Sequence, residues 1–105
     1  MLTLKDIQLA HKRIRPFIHR TPILTNSSIN KLAGAELFFK CENFQKAGSF
    51  KIRGATNTVE MLSDEEFNQG VATTSSGNHG AALSMAVSRR GGTTKVVMPL
   101  NTPTI

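Results

Sequence analysis

Apolar residues recur every three or four positions through much of the chain, and the phase of that repeat resets at short polar or glycine-bearing breaks. The first stripe is Ile7, Ala10, Ile14 and Phe17; Thr3 and Asp6 ahead of it have capping-box spacing, and Pro16 breaks it by lacking an amide. Arg20 to Leu24 then reads as extended chain. Asn26 is placed to cap a short helix over Ser27 to Ala33, which Gly34 would stop. Leu37 to Cys41 has the character of a strand. A second stripe, Ile52, Ala55, Val59 and Leu62, follows Gly48-Ser49, which reads as a loop end and a helix N-cap. Ser63 and Glu66 form another capping box for a short helix closed by Gly70. Val71 to Thr74 predicts a strand. Asn78 to Arg89 predicts a helix with apolar Ala81, Ala82, Leu83, Met85, Ala86 and Val87 around most of its circumference, the mark of a mostly buried helix. Gly91-Gly92 end it, and Lys95 to Met98 reads as a last strand before Pro99.

Strands alternating with helices predict an α/β fold with parallel strands. At 105 residues the chain holds at most one domain, without internal repeats, low-complexity tracts or long linkers.

Charge changes this picture little. The net charge of +6 invites a nucleic-acid partner, but only Lys12, Arg13, Arg15 and Arg20 cluster, and Tyr and Trp are absent, so no aromatic ladder accompanies them. The basic residues read as a solvated face. No apolar run is long enough to span a membrane. Lys5 and Asp6 interrupt any signal core. Cys41 is the only cysteine, which excludes an intrachain disulfide and a cysteine metal cluster. No metal ligand set is read, and a cytoplasmic protein is expected.

Two places carry candidate chemistry. The helix beginning after Ser49 puts Lys51 in its first turn, where the positive dipole end disfavours another cation; such a lysine should lose its proton more readily, and a neutral amine attacks carbonyls. The alternative is an ordinary solvated lysine. Ser75-Ser76-Gly77-Asn78-His79 joins a strand to a helix, so free amides point outward at a dipole end suited to phosphate or carboxylate. The alternative there is a tight turn with a capping Asn, and a structural histidine at His79.

Gly48-Ser49-Phe50-Lys51-Ile52-Arg53-Gly54 resembles the lysine motif of the fold-type II pyridoxal-phosphate enzymes, the group of serine/threonine dehydratases and serine racemases. Ser75-Ser76-Gly77-Asn78-His79-Gly80 resembles that group's other N-terminal signature, in its order and at about its spacing. The resemblance covers nearly all of the chain. It implies the N-terminal part of a tryptophan-synthase-β-like two-domain enzyme, with residues 1–45 belonging to the larger cofactor domain and 46–105 to the first part of the smaller substrate-binding domain. The glycine-rich phosphate loop, the residue facing the pyridine nitrogen and the divalent-cation ligands of the group are expected beyond the point where this chain stops.

The same resemblance implies roles. Lys51 holds pyridoxal 5'-phosphate and removes the α-proton of the amino acid. Phe50 packs on the pyridine ring and Asn78 bonds its phenolic oxygen, while Ser75, Asn78 and His79 grip the substrate carboxylate. Ser76 lies on the cofactor face opposite the lysine, where racemases use a serine as second acid/base and some dehydratases carry alanine. Ser27, Ser28, Ile29 and Lys46 resemble positions that bind a nucleotide activator at a subunit interface, although Ala47 stands where threonine is usual, and helix capping explains the serines equally well. The activity implied is conversion of L-serine or L-threonine to a 2-oxo acid and ammonia, or racemisation of serine. The resemblance admits Mg2+ and ATP as activators and a homodimer or homotetramer. Two alternatives stand beside it: a cysteine-synthase-like β-replacement enzyme, and a truncated non-catalytic product.

Overall fold

The computed structural model describes residues 1–102. Helix α1 spans Leu4–Ile14 and opens with the expected capping box, in which Thr3 and Asp6 satisfy each other's backbone amides. A two-residue strand β1, Ile23–Leu24, leads to α2, Ser27–Ala33, which Asn26 caps through the Ile29 amide at 3.0 Å and Gly34 ends at φ 64°. Strand β2 is Phe39–Lys40 and pairs antiparallel with β1. Two 3-10 turns, Glu42–Phe44 and Lys46–Gly48, carry the chain to α3, Lys51–Met61. A short α4, Asp64–Asn68, has the Ser63/Glu66 capping box. Strand β3, Val71–Thr74, α5, Asn78–Arg89, and β4, Thr94–Val97, complete the described chain; β3 and β4 run parallel with Val71 opposite Thr94.

The core is the contact between α3 and α5. Ile52, Ala55 and Val59 of α3 meet Ala82, Leu83, Ala86 and Val87 of α5, and Val59 and Ala82 are wholly buried. Spacings of three and four put each set on one face of its helix. Alanines at 55, 82 and 86 allow the helices to approach closely. Arg90 ties the far end, donating to the Val59 and Leu62 carbonyls at 2.7 and 2.8 Å, and so satisfies acceptors that the end of α3 leaves open.

Several expectations are corrected. Ser49 does not cap α3: it is extended, its hydroxyl is buried without a partner, and the N-cap position falls to Phe50, which makes no side-chain cap bond. The left-handed turn at Ala47 and Gly48 sets this, because it turns Ser49 into the interior before the helix begins. The strand expected over residues 37–41 shrinks to Phe39–Lys40, since the 3-10 turn at Glu42 takes over at once. The β1/β2 pair is antiparallel, not parallel. Helix α5 buries one face only; Ala81 and Met85 stand exposed on the other. In the α1 stripe Ile14 alone is buried, while Ile7 remains 54% exposed.

Candidate active site

Lys51 is the first residue of α3, and its side chain is exposed. Its Nζ lies 5.0 Å from the centroid of the Phe50 ring, a cation–π distance. Both residues line a cleft of about 740 Å³ that runs past Thr58, Val71 and Thr73 to His79 in the first turn of α5. The expected lysine, ring and histidine thus share one cavity.

The loop from Ser75 to Gly77 connects β3 to α5 beside this cleft. Ser75 continues the β3/β4 ladder by donating its amide to the Val97 carbonyl at 3.0 Å. Its Oγ accepts from the amides of Gly77 at 3.2 Å and Gly80 at 3.0 Å, so the hydroxyl pins the loop to the helix start. Gly80 permits that closeness: a Cβ there would meet Val96 Cγ1 at 3.1 Å and Ser75 Cβ at 3.4 Å. With Gly80 engaged, the amides of Asn78 and His79 keep no acceptor within the helix, because a first turn has none to offer. They mark a place for an anion at the positive dipole end of this twelve-residue helix. Ser76 and Asn78 are exposed, and neither they nor Ser75 line the Lys51 cleft.

The four nucleotide candidates are not brought together within one cavity of the chain. Ser27, Ser28 and Ile29 lie exposed on the first turn of α2. Lys46 lines a separate cavity of about 170 Å³ with Phe17, Thr56, Met85 and Arg89.

A further set of residues is joined by hydrogen bonds to Arg53, which lines the Lys51 cleft. Glu42 accepts both arms of the Arg53 guanidinium, Nε at 2.8 Å and Nη2 at 2.7 Å, and the Thr21 hydroxyl at 2.6 Å. The Arg53 bonds hold the Glu42 carboxyl down at about 2, well below the usual carboxylate range, and the pair raises Arg53. Lys40 donates to the Thr21 carbonyl at 2.6 Å. Buried Gln45 accepts from the amides of His19 and Lys46 and donates back to the His19 carbonyl. Arg53 stands within the Gly48 to Gly54 motif and Glu42 ahead of it, but a pairing across a loop leaves no periodic signal.

These residues fit pyridoxal phosphate. An exposed amine at a helix start can take an aldehyde carbonyl. An aromatic ring stands next to it, a buried unpartnered hydroxyl at Ser49 lies just before it, and an anion-ready helix start closes the same region.

Comparison with known proteins gives the family and the fold. Residues 14–105 match the family model described as pyridoxal-phosphate dependent enzyme. The serine racemase of Dictyostelium discoideum is 59% identical over 104 residues, covering 99% of this chain and 32% of the relative. The beta-hydroxyaspartate dehydratase of Paracoccus denitrificans is 55% identical over 101 residues, covering 96% and 32%. The crystal structure of the Dictyostelium serine racemase superposes with a TM-score of 0.93 over 98% of this chain and 34% of that one. The processed form of threonine deaminase isoform 2 from Solanum lycopersicum gives 0.80 at 30% identity, over 97% and 30%. Fold and site together define a portion of a fold-type II α/β enzyme. The chain belongs to the pyridoxal-phosphate dependent enzyme family, and it spans about a third of the length of the relatives it matches. No helix of its described residues is long and apolar enough to cross a membrane.

Proposed function

We propose that this chain supplies the lysine-bearing portion of an enzyme that racemises or dehydrates a small hydroxy amino acid, serine or threonine. The observation that carries the reading is the placement of Lys51, at an exposed helix start in one cleft with Phe50 and His79. The names of its relatives, a serine racemase and a dehydratase, support that substrate class.

Pyridoxal phosphate, when bound through Lys51, draws electrons from the α-carbon of the substrate. The remaining work falls to the protein. Asn78 and His79 with their amides, and Ser75 through the loop it pins, would bind the substrate carboxylate, and Phe50 would pack beside the cofactor. Once the substrate amine has taken its place, the released Lys51 amine would accept the α-proton. If the β-hydroxyl then departs, hydrolysis yields a 2-oxo acid and ammonia. If instead the Ser76 hydroxyl delivers a proton from the opposite face, the enantiomer forms.

We further assign residues 1–45 to the larger domain and 46–105 to the smaller one. The complete enzyme is read as a cytoplasmic homodimer or homotetramer, with Mg2+ and ATP as activators. The decisive experiment gives the full-length protein L-serine and L-threonine and measures ammonia release, D-serine by chiral chromatography, and sulfide incorporation. Sulfide incorporation without ammonia or D-serine would favour β-replacement and overturn the proposal.

A further inference from the structure

Helix α3 begins badly for a helix that must present a lysine. Its N-cap residue Phe50 offers no side-chain bond, and its first turn contains no acidic residue. Instead Lys51 and Arg53 place two cations at the positive end of the dipole, which is the unfavourable sign. Ser49, which could have capped it, keeps its hydroxyl buried and unpartnered. An anion from outside the helix would offset this.

We infer that Glu42 is a positioning residue for Lys51: from the preceding 3-10 turn it supplies the negative charge that the α3 N-terminus lacks, and through its two-pronged hold on Arg53 it fixes the turn that aims the lysine. The geometry is specific. Both carboxylate oxygens meet the guanidinium fork, and such bidentate pairs fix direction as well as distance. Side-chain exposures of 17% for Glu42 and 28% for Arg53 take the pair largely out of bulk solvent, where it is worth more than a surface pair. Glu42 is anchored in turn by the Thr21 hydroxyl, and its loop by the Cys41 amide on the Pro22 carbonyl at 3.0 Å and by the buried Gln45 clamp on His19. The segment from His19 to Pro22 and the loop before α3 therefore form one frame, and Arg53 is the bolt between that frame and the lysine helix.

This inference rests on the proposed role of Lys51, and its test has one arm that does not. In the full-length protein, Glu42→Gln keeps the shape and removes the charge, and Arg53→Lys keeps the charge and removes the fork. Arg90→Gln is the control: it breaks carbonyl and Asp64 bonds at the distant end of α3. Hydrogen exchange should rise about tenfold at the amides of residues 53–55 in the first two variants, and at the other end of α3 in the control. With pyridoxal phosphate added and trapped by borohydride, peptide mapping should find label spread from Lys51 to neighbouring lysines in Glu42→Gln and Arg53→Lys. In Arg90→Gln it should stay on Lys51. Activity on L-serine should fall about tenfold in kcat, with KM held within roughly twofold, in the first two only. Exchange at residues 53–55 that is unchanged in Glu42→Gln would overturn the inference whatever the cofactor does. Label absent from Lys51 in the unmodified protein would count against the functional reading instead, leaving the exchange arm to decide the role of Glu42.

Discussion

Residues 1–105 expressed alone should fail both as a stable fold and as an enzyme. A compact monomer of 11.4 kDa exposes about 5,800 Å² by the usual scaling of area with mass, whereas this chain exposes 7980 Å². Its radius of gyration is 16.8 Å against roughly 13 Å for a compact domain of this length. The surplus area is about 2,200 Å². It includes Leu2, Leu4, Ile7 and Leu9 on and around α1, Phe38 and Phe39 around β2, and Val97 and Met98 at the end of β4, all exposed. The β3/β4 pair also leaves both of its outer edges open among the described strands, and open edges invite association. If only a fifth of the surplus is apolar surface that needs cover, leaving it wet forfeits about 11 kcal/mol at ~25 cal/mol per Å². That is comparable to the whole stability of an ordinary domain, ~5–15 kcal/mol. Against it stands one small core of seven buried side chains. The isolated chain should aggregate or give poorly dispersed amide resonances, without cooperative melting and without ammonia release from L-serine. A monodisperse 105-residue protein that melts cooperatively and turns over L-serine would refute the reasoning.

Three further outcomes are expected of the full-length protein. Lys51→Ala should abolish the visible absorbance of bound cofactor and all turnover; borohydride trapping that places the cofactor on Lys46 or Lys40 would refute the assignment. Ser76→Ala should cut racemisation by at least ~100-fold while leaving elimination from the L-substrate within about threefold, because elimination needs the lysine face alone; equal losses would reduce Ser76 to a loop-shaping residue. Glu42 should make stability depend on acid. Its folded value of about 2 lies below the ordinary 4.5, so its contribution is complete above pH ~4.5 and is lost as pH falls towards 2. The gap in denaturation free energy between the parent and Glu42→Gln, at most about 3 kcal/mol near neutrality, should therefore hold from pH 8 to 5 and then close; a gap that widened on acidification would contradict the pairing.

Much of the local structure was legible in the chain because its causes are local. Both capping boxes, the Asn26 cap and the left-handed Gly34 stop each lie within a few residues of the group they satisfy, so spacing alone locates α1, α2 and α4. The same holds for the facing stripes of α3 and α5, whose period of three and four determines which side chains can share a core. Lys51 at a helix start and the loop from Ser75 to His79 were visible on these grounds too. What required the tertiary structure is whatever depends on partners distant in sequence. The cap expected of Ser49 was lost to its burial behind Ala47 and Gly48, and its anion came from Glu42 across a loop. The strand before that loop was cut to Phe39–Lys40, paired antiparallel to Ile23–Leu24 on the far side of α2. Arg53, one basic residue of the lysine motif by sequence, became the link between frame and lysine helix only once folding set its guanidinium against that carboxylate. Periodicity and caps record what a residue does to its own turn of chain; a hydrogen bond between residues 42 and 53, or the cleft that joins Lys51 to His79, exists only when separate turns are packed together.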